Sequence, residues 1–252
     1  MTRRSIDLWS PAIGSSGTVI AYGHWGRPVL VFPAEAGRAG DFESHGMVDA
    51  VGDLVEAGRV KLYCVDSFDA QSWSNRSIPL EERARRHGAY ESWIVDQVAP
   101  WIHQDCGGPL PILTTGPSMG AFHAANFTLR RGDVFPQAVC LSGNYDMSSL
   151  YGWGEQGDTF YFQNPTAYVS GLHGDHLQWL RGQVRLVLVV GQGMWEDTTG
   201  AEASTRRIAG LLAEKGIPHE LDVWGHDAAH DWPWWRRQLA HHLHRICGEG
   251  GR

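Results

Sequence analysis

Ser118 stands between two glycines in Gly116-Pro-Ser-Met-Gly120, a spacing that can expose a serine hydroxyl at the tip of a very tight turn. A free hydroxyl is a poor nucleophile at neutral pH. It needs a base within hydrogen-bond reach, and the base needs a carboxylate that fixes its tautomer. Downstream the chain offers both. Glu196 and Asp197 follow an apolar run and the short Gly191-Gln-Gly-Met-Trp195 segment. His226 and His230 sit in Trp224-Gly-His-Asp-Ala-Ala-His-Asp-Trp-Pro-Trp-Trp235. A serine, then a carboxylate, then a histidine is an order known to support acyl transfer.

Such groups work only if the fold brings them together. Ile112 and Leu113 read as the end of a buried strand, and the small residues Ala121, Ala124 and Ala125 mark a helix over 119–129 that closes near Gly132. A Cβ at Gly116 or Gly120 would collide with a neighbouring strand or helix, which separates this serine from a plain helix N-cap. The flanking chain alternates in type. Residues 6–13 and 18–22 suggest an antiparallel hairpin around Gly14-Ser-Ser-Gly17, and 29–32 a buried strand that runs into the small-residue loop 34–41. Met47, Val48, Val51, Leu54 and Val55 fall at helical spacing before Gly58, and a strand covers 60–65. A long helix is expected over 81–101, with Tyr90, Trp93, Ile94, Val98 and Trp101 inward and Arg83, Arg85, Arg86 and Glu91 facing solvent. Strands at 138–141, 184–190 and 221–224, a helix over 206–215 and a Trp-rich final helix complete the pattern. Residues 144–182, with Tyr151, Trp153, Phe160, Tyr161, Phe162 and Tyr168, read as a loop-dominated insertion that forms a pocket wall or partial cap.

Composition narrows the function classes. The chain has 252 residues, 42% of them hydrophobic, enough for one large core, and residues 1–252 are expected to form a single α/β domain. The net charge is −7 with both signs interspersed, so no phosphate-tracking surface and no nucleic-acid partner is expected. Cys64, Cys106, Cys140 and Cys247 are far apart, and the first and third lie in apolar runs, which suggests neither a zinc site nor disulfides. No run reaches membrane-spanning length and no apolar segment follows the basic start, so a cytoplasmic protein without a membrane partner is expected. Gly191 and Gly193 lack the third glycine of a dinucleotide loop, since Glu196 stands in its place. His226 and His230 lie in a glycine-containing loop with no third ligand near, and His241, His242 and His244 on adjacent, mostly exposed helix positions. Neither set is expected to bind a metal, and no cofactor is expected.

Gly116-Pro-Ser-Met-Gly120 together with His230-Asp-Trp-Pro-Trp-Trp235 resembles the esterase D-like branch of the α/β-hydrolases. That branch includes formylglutathione hydrolases, feruloyl and acetylxylan esterases and the antigen 85 mycolyltransferases. The resemblance covers most of the chain. It implies a three-layer α/β-hydrolase fold, with a mostly parallel central sheet and helices on both faces. By the same match His230 is the base, with His226 as its neighbour. Loop 35–41 corresponds to the oxyanion loop, so the donor amides would be those of Met119 and Gly37, with Ala36 next. Glu196 has the family-like spacing to His230, while Asp197 is the commoner acid type, and both stay candidates. Pro117 and the Ala121-Phe-His123 start depart from the formylglutathione hydrolase elbow, which points away from that substrate.

The expected activity is hydrolysis of a small carboxylic ester through a Ser-His-acid triad and an acyl-enzyme. Two alternatives accompany it: transfer of the acyl group to an alcohol or sugar on the same triad, and a fold that binds without turnover. The oligomeric state is not encoded in any motif.

Overall fold

The computed structural model describes residues 1–149 and 152–248, and Tyr151 of the aromatic insertion lies outside the described residues. The strands, in chain order, are Arg3–Ser10 (β1), Ser15–Tyr22 (β2), Arg27–Val31 (β3), Val60–Val65 (β4), Leu113–Pro117 (β5), Gln137–Leu141 (β6), Arg185–Val190 (β7) and His219–Val223 (β8). They form one sheet in the order β1-β2-β4-β3-β5-β6-β7-β8. The β1–β2 and β2–β4 pairs are antiparallel and the remaining pairs are parallel. Every residue of β4 and β5 is buried, as expected of strands covered on both faces.

The helices are Asp41–Ser44 (α1), Gly52–Glu56 (α2), Leu80–Trp93 (α3), Ala99–Asp105 (α4), Met119–Arg130 (α5), Asp158–Gln163 (α6), Pro165–Gly171 (α7), Gly174–Gln183 (α8), Ala201–Lys215 (α9) and Trp232–Cys247 (α10). One face of the sheet packs Tyr90 and Trp93 of α3, Ala124 and Phe127 of α5 and Ile208 and Leu212 of α9. The other packs Leu54 and Val55 of α2 with Trp235, Leu239 and Leu243 of α10. These are the three layers of the α/β-hydrolase fold, as the family resemblance implies.

Local departures have local causes. The hairpin turn is Pro11–Gly14, with Gly14 at φ 64°, and Ser15 to Gly17 already pair in β2. The helix expected around 47–55 is broken, because 49–51 forms a 3₁₀ turn before the short α2. The long helix widens to a π turn at Ile94–Val98 and continues as α4. Pro100 explains this: its missing N–H cannot close an α-helical bond to residue 96, and its ring crowds that carbonyl. Arg83 does not face solvent. It is fully buried and its Nε donates to Ile78 O at 3.0 Å, whereas Arg85 and Arg86 are both answered by Glu82. Glu91 is also turned inward, against Arg130. The aromatic insertion is not loop-dominated, since α6, α7 and most of α8 lie within it, with Phe160 and Tyr168 buried.

At the turn around Ser118 backbone segments come close together. A Cβ on Gly120 would meet the backbone oxygens of Phe32 and Pro33, while one on Gly40 would meet open space. Gly120→Ala should therefore destabilise the fold by about 1–3 kcal/mol through overpacking against backbone, and Gly40→Ala should stay within about 0.5 kcal/mol of the parent. Urea unfolding of the two variants checks the pair.

Candidate active site

Ser118 leaves the carboxyl end of β5 at φ 54° and ψ −118°, a conformation that a non-glycine residue adopts only when its surroundings impose it. Its N–H donates to Leu141 O at 2.8 Å, continuing the β5–β6 ladder, and its own carbonyl accepts from Ala121 N at 3.0 Å to start α5. The turn therefore presents Oγ above the sheet.

Three side chains from separate segments meet there. Ser118 Oγ lies 3.1 Å from His230 Nε2, and His230 Nδ1 lies 3.1 Å from Glu196 Oε2. With Glu196 an acceptor, Nδ1 carries the proton and Nε2 is free to accept from the serine hydroxyl. The Glu196 carboxylate is wholly buried, and its other oxygen accepts from Ser142 Oγ at 2.6 Å and Gly191 N at 3.1 Å. Three donors thus replace the water this carboxylate has lost, which an ionised buried acid requires. Trp235 of α10 donates from Nε1 to Ser142 Oγ at 3.2 Å and sets its ring edge-on to the His230 imidazole, 4.9 Å between centroids.

The neighbouring acid stands elsewhere. Trp195 takes φ 70°, and this turn sends Glu196 into the core and leaves Asp197 exposed, accepting from the N–H of Thr198 at 2.8 Å. Gly191 and Gly193 have a packing role: a Cβ on either would strike the backbone of Ala228, so both glycines let the histidine loop lie against β7. Gly193 N donates to Ala228 O at 2.8 Å and His230 N to Met194 O at 2.9 Å, which ties that loop in place.

The oxyanion loop differs from expectation. Gly37 is buried and its N–H donates to Ala34 O at 3.0 Å, so this amide is engaged within the loop. Ala36, at φ 55°, donates its N–H to Asp69 Oδ2 at 3.1 Å. Both amides expected here as donors are thus held by the protein itself. The N–H groups of Met119 and Glu35 have no hydrogen-bond partner among the described residues, and both residues line one cleft with Ser118 and His230. The cleft encloses about 420 Å³, and Arg76, Asn144, Met147, Ser149, Thr198 and Thr199 also stand in its wall, with Asp197 at its border. Of these, Asn144, Met147 and Ser149 belong to residues 144–182.

The remaining histidines lie away from this cleft. His226 is exposed beside Gln192 O, and Asp231 caps α10 by accepting from Trp232 N at 2.7 Å. His242 is buried rather than exposed. Its Nε2 donates to Asp222 Oδ2 at 2.9 Å and its Nδ1 accepts from Arg245, while burial pushes its pKa down. Asp222 Oδ2 also accepts from Trp224 Nε1, so the grouping of Asp222, His241 and His242 already has its hydrogen bonds met from within. Cys64 and Cys140 are buried, and burial pushes both thiols well up, as befits inert core residues. Among the described residues no helix is long and apolar enough to cross a membrane.

Sequence reading missed Ser142 and the free amide of Glu35. A serine directly after a core strand, at the strand end nearest the candidate acid, was the one available signal for the first. The second depends on who engages the neighbouring amides, which no local pattern records.

Comparison with known proteins gives the family and the fold. Residues 31–246 match the family model Esterase, described as “Putative esterase”. Among solved structures the chain is similar to a ferulic acid esterase, at 16% identity over 96% of both chains with a TM-score of 0.73. It is similar to MPT51 (FbpC1) of Mycobacterium tuberculosis, at 13% identity over the whole of both chains with a TM-score of 0.77. An S-formylglutathione hydrolase from Agrobacterium tumefaciens matches at 12% identity over 99% of this chain and 95% of that one, with a TM-score of 0.72. At these identities the structures speak for the fold. No curated protein matches by sequence. The family match spans most of the chain, from β3 to the end of α10, and the protein is a carboxylic ester hydrolase that belongs to this esterase family.

Proposed function

We propose that this esterase is a serine hydrolase of small esters that works through an acyl-enzyme on Ser118. The observation that carries the reading is the unbroken line from Ser118 Oγ through His230 to a carboxylate with no solvent exposure. In the first half-reaction Ser118 Oγ attacks the ester carbonyl carbon and its proton passes to His230 Nε2. The imidazolium so formed faces Glu196, whose charge stabilises it. The carbonyl oxygen, now negative, is received by the amide of Met119 and by that of Glu35, which takes the place of Gly37 and Ala36. Collapse of the tetrahedral species breaks the bond to the alcohol oxygen, which takes the proton from His230. Water then enters, gives a proton to His230 and attacks the acyl carbon, and the acid leaves as Ser118 recovers its proton.

The cleft wall supports short substrates. Ser149, Asn144, Thr198 and Thr199 offer hydroxyl and amide groups, with Met119 and Met147 as apolar surface near the nucleophile. A long acyl chain would have to lie along these polar groups and take the place of the water that solvates them. Activity on p-nitrophenyl esters should accordingly fall as the acyl chain is lengthened from acetyl to octanoyl. A rise with chain length contradicts the short-ester reading.

Two variants separate the acids. Glu196→Gln should lower kcat by about 10³–10⁴-fold, because the wrong tautomer of His230 is then favoured. Asp197→Asn should change it by less than about threefold, as a solvated group at the rim. Equal small losses would place the acid elsewhere. A serine-directed phosphonate should label Ser118 in the parent protein and leave Ser118→Ala unlabelled.

A further inference from the structure

Beneath the oxyanion loop lies a second set of titratable side chains that the reaction above does not use. Asp69, His87, His123 and Asn126 are fully buried, and Gln163 is nearly so. His123 Nε2 lies 2.9 Å from Asp69 Oδ1, His87 Nε2 lies 3.1 Å from His123 Nδ1, and His87 Nδ1 lies 2.8 Å from Gln163 Oε1. The other oxygen of Asp69 accepts the N–H of Ala36. The line thus starts at the loop that carries the free amide of Glu35 and ends between α3, α5 and α6.

Counting protons along it leads to a specific charge state. The orientation of Gln163 is fixed by its neighbours: Nε2 donates to Glu91 Oε2 at 2.7 Å, an acceptor already paired with Arg130, and Oε1 accepts from Asn126 Nδ2 at 2.9 Å. Oε1 is therefore what faces His87. Both ring nitrogens of each histidine have a partner, so neither ring can be turned over without losing contacts. Both ends of the line, Gln163 Oε1 and the Asp69 carboxylate, are acceptors. Three gaps each need one proton, while two neutral imidazoles bring only two. One further proton is held in the line. An imidazole takes it in preference to a carboxyl group, since free imidazole is the stronger base by about 2.5 pH units. His123 is the ring beside the carboxylate, where the resulting charge is neutralised at once.

We propose that His123 is a buried imidazolium locked between the Asp69 carboxylate and a neutral His87, and that this clamp is a positioning device for the oxyanion loop. Asp69, kept ionised by His123, holds the Ala36 N–H and with it the left-handed turn at Ala36. That turn keeps the preceding amide, on Glu35, free for the carbonyl oxygen of the substrate. None of the three groups touches substrate. Nearby ionisable groups are Tyr90, whose ring lies against His123, with Asp66 behind it, and the Glu91–Arg130 pair beyond Gln163. Burial and the charge of His123 both push the pKa of His87 well down, in keeping with a neutral partner ring. The kinetic part of the proposal rests on the acyl-enzyme reading above, while the charge state does not.

The direct test is nitrogen NMR of the histidine rings in the wild-type protein, with signals assigned by the absence of one set in His123→Gln and another in His87→Gln. At about pH 8, where a free imidazole is neutral, His123 should show both nitrogens protonated and His87 only Nδ1. A bare nitrogen on His123 overturns the proposal, whatever the kinetics. Asp69→Asn, which presents an amide to His123 and cannot balance its charge, should lower kcat by about 10- to 100-fold with KM within about threefold, less than outright loss of an oxyanion donor. An unchanged kcat in a folded Asp69→Asn protein overturns the positioning role. Full activity in Ser118→Ala would instead remove the acyl-enzyme reading and leave the imidazolium assignment to stand or fall on the spectrum.

Discussion

A carboxylate with no access to water is the constraint around which this site is built. Left alone, a buried carboxylate costs several kcal/mol. Its three hydrogen-bonding neighbours come from three places that the sheet must bring together. Ser142 follows β6, Gly191 follows β7, and His230 leads into α10, whose Trp235 holds Ser142 from the far side. A shift of one residue in the β6–β7 register would turn Ser142 to the other face of the sheet and leave the acid short of a donor. The same hydrogen bonds that satisfy the Glu196 carboxylate therefore fix the strand ends around the cleft.

The serine side of the site is held by sterics instead of charge. Gly116 and Gly120 bring the elbow against the Phe32 carbonyl, so β3, β5 and α5 meet with no side chain between them. Ser118 has no freedom to relax, and its N–H is tied to Leu141. Glycine has the same effect on the histidine side, where Gly191 and Gly193 admit the Ala228 backbone. Close backbone approach on both flanks gives the Ser118 to His230 distance without any long, adjustable side chain to tune it.

How far the residues alone reveal this arrangement depends on the range of the interaction concerned. The elbow is legible because strand, glycine pair and helix are neighbours in sequence, and the layer order follows from alternating apolar runs. The choice between Glu196 and Asp197 is not legible, since it is decided by the left-handed turn at Trp195, a residue type that does not advertise positive φ. Which amides of loop 35–41 are left open is not legible either, because Asp69, far along the chain, engages the amide of Ala36 and Ala34 O engages that of Gly37. Helical spacing puts Arg83 on a solvent face because it shows a face and not what loop will cover it. His123 carried an unused signal: an ionisable ring in an otherwise apolar, small-residue helix must find a buried partner. Asp69 and His87 are that answer, supplied by two other segments.

The central claim is that ester cleavage passes through a covalent bond to Ser118. Quenching the enzyme with acid during turnover of p-nitrophenyl acetate, then sequencing its peptides by mass, tests this directly. The account predicts one acetyl group on the Ser118 hydroxyl, formed within the first turnover and lost when substrate is exhausted. Sustained hydrolysis with no acyl group on Ser118, together with undiminished activity in Ser118→Ala, would contradict it.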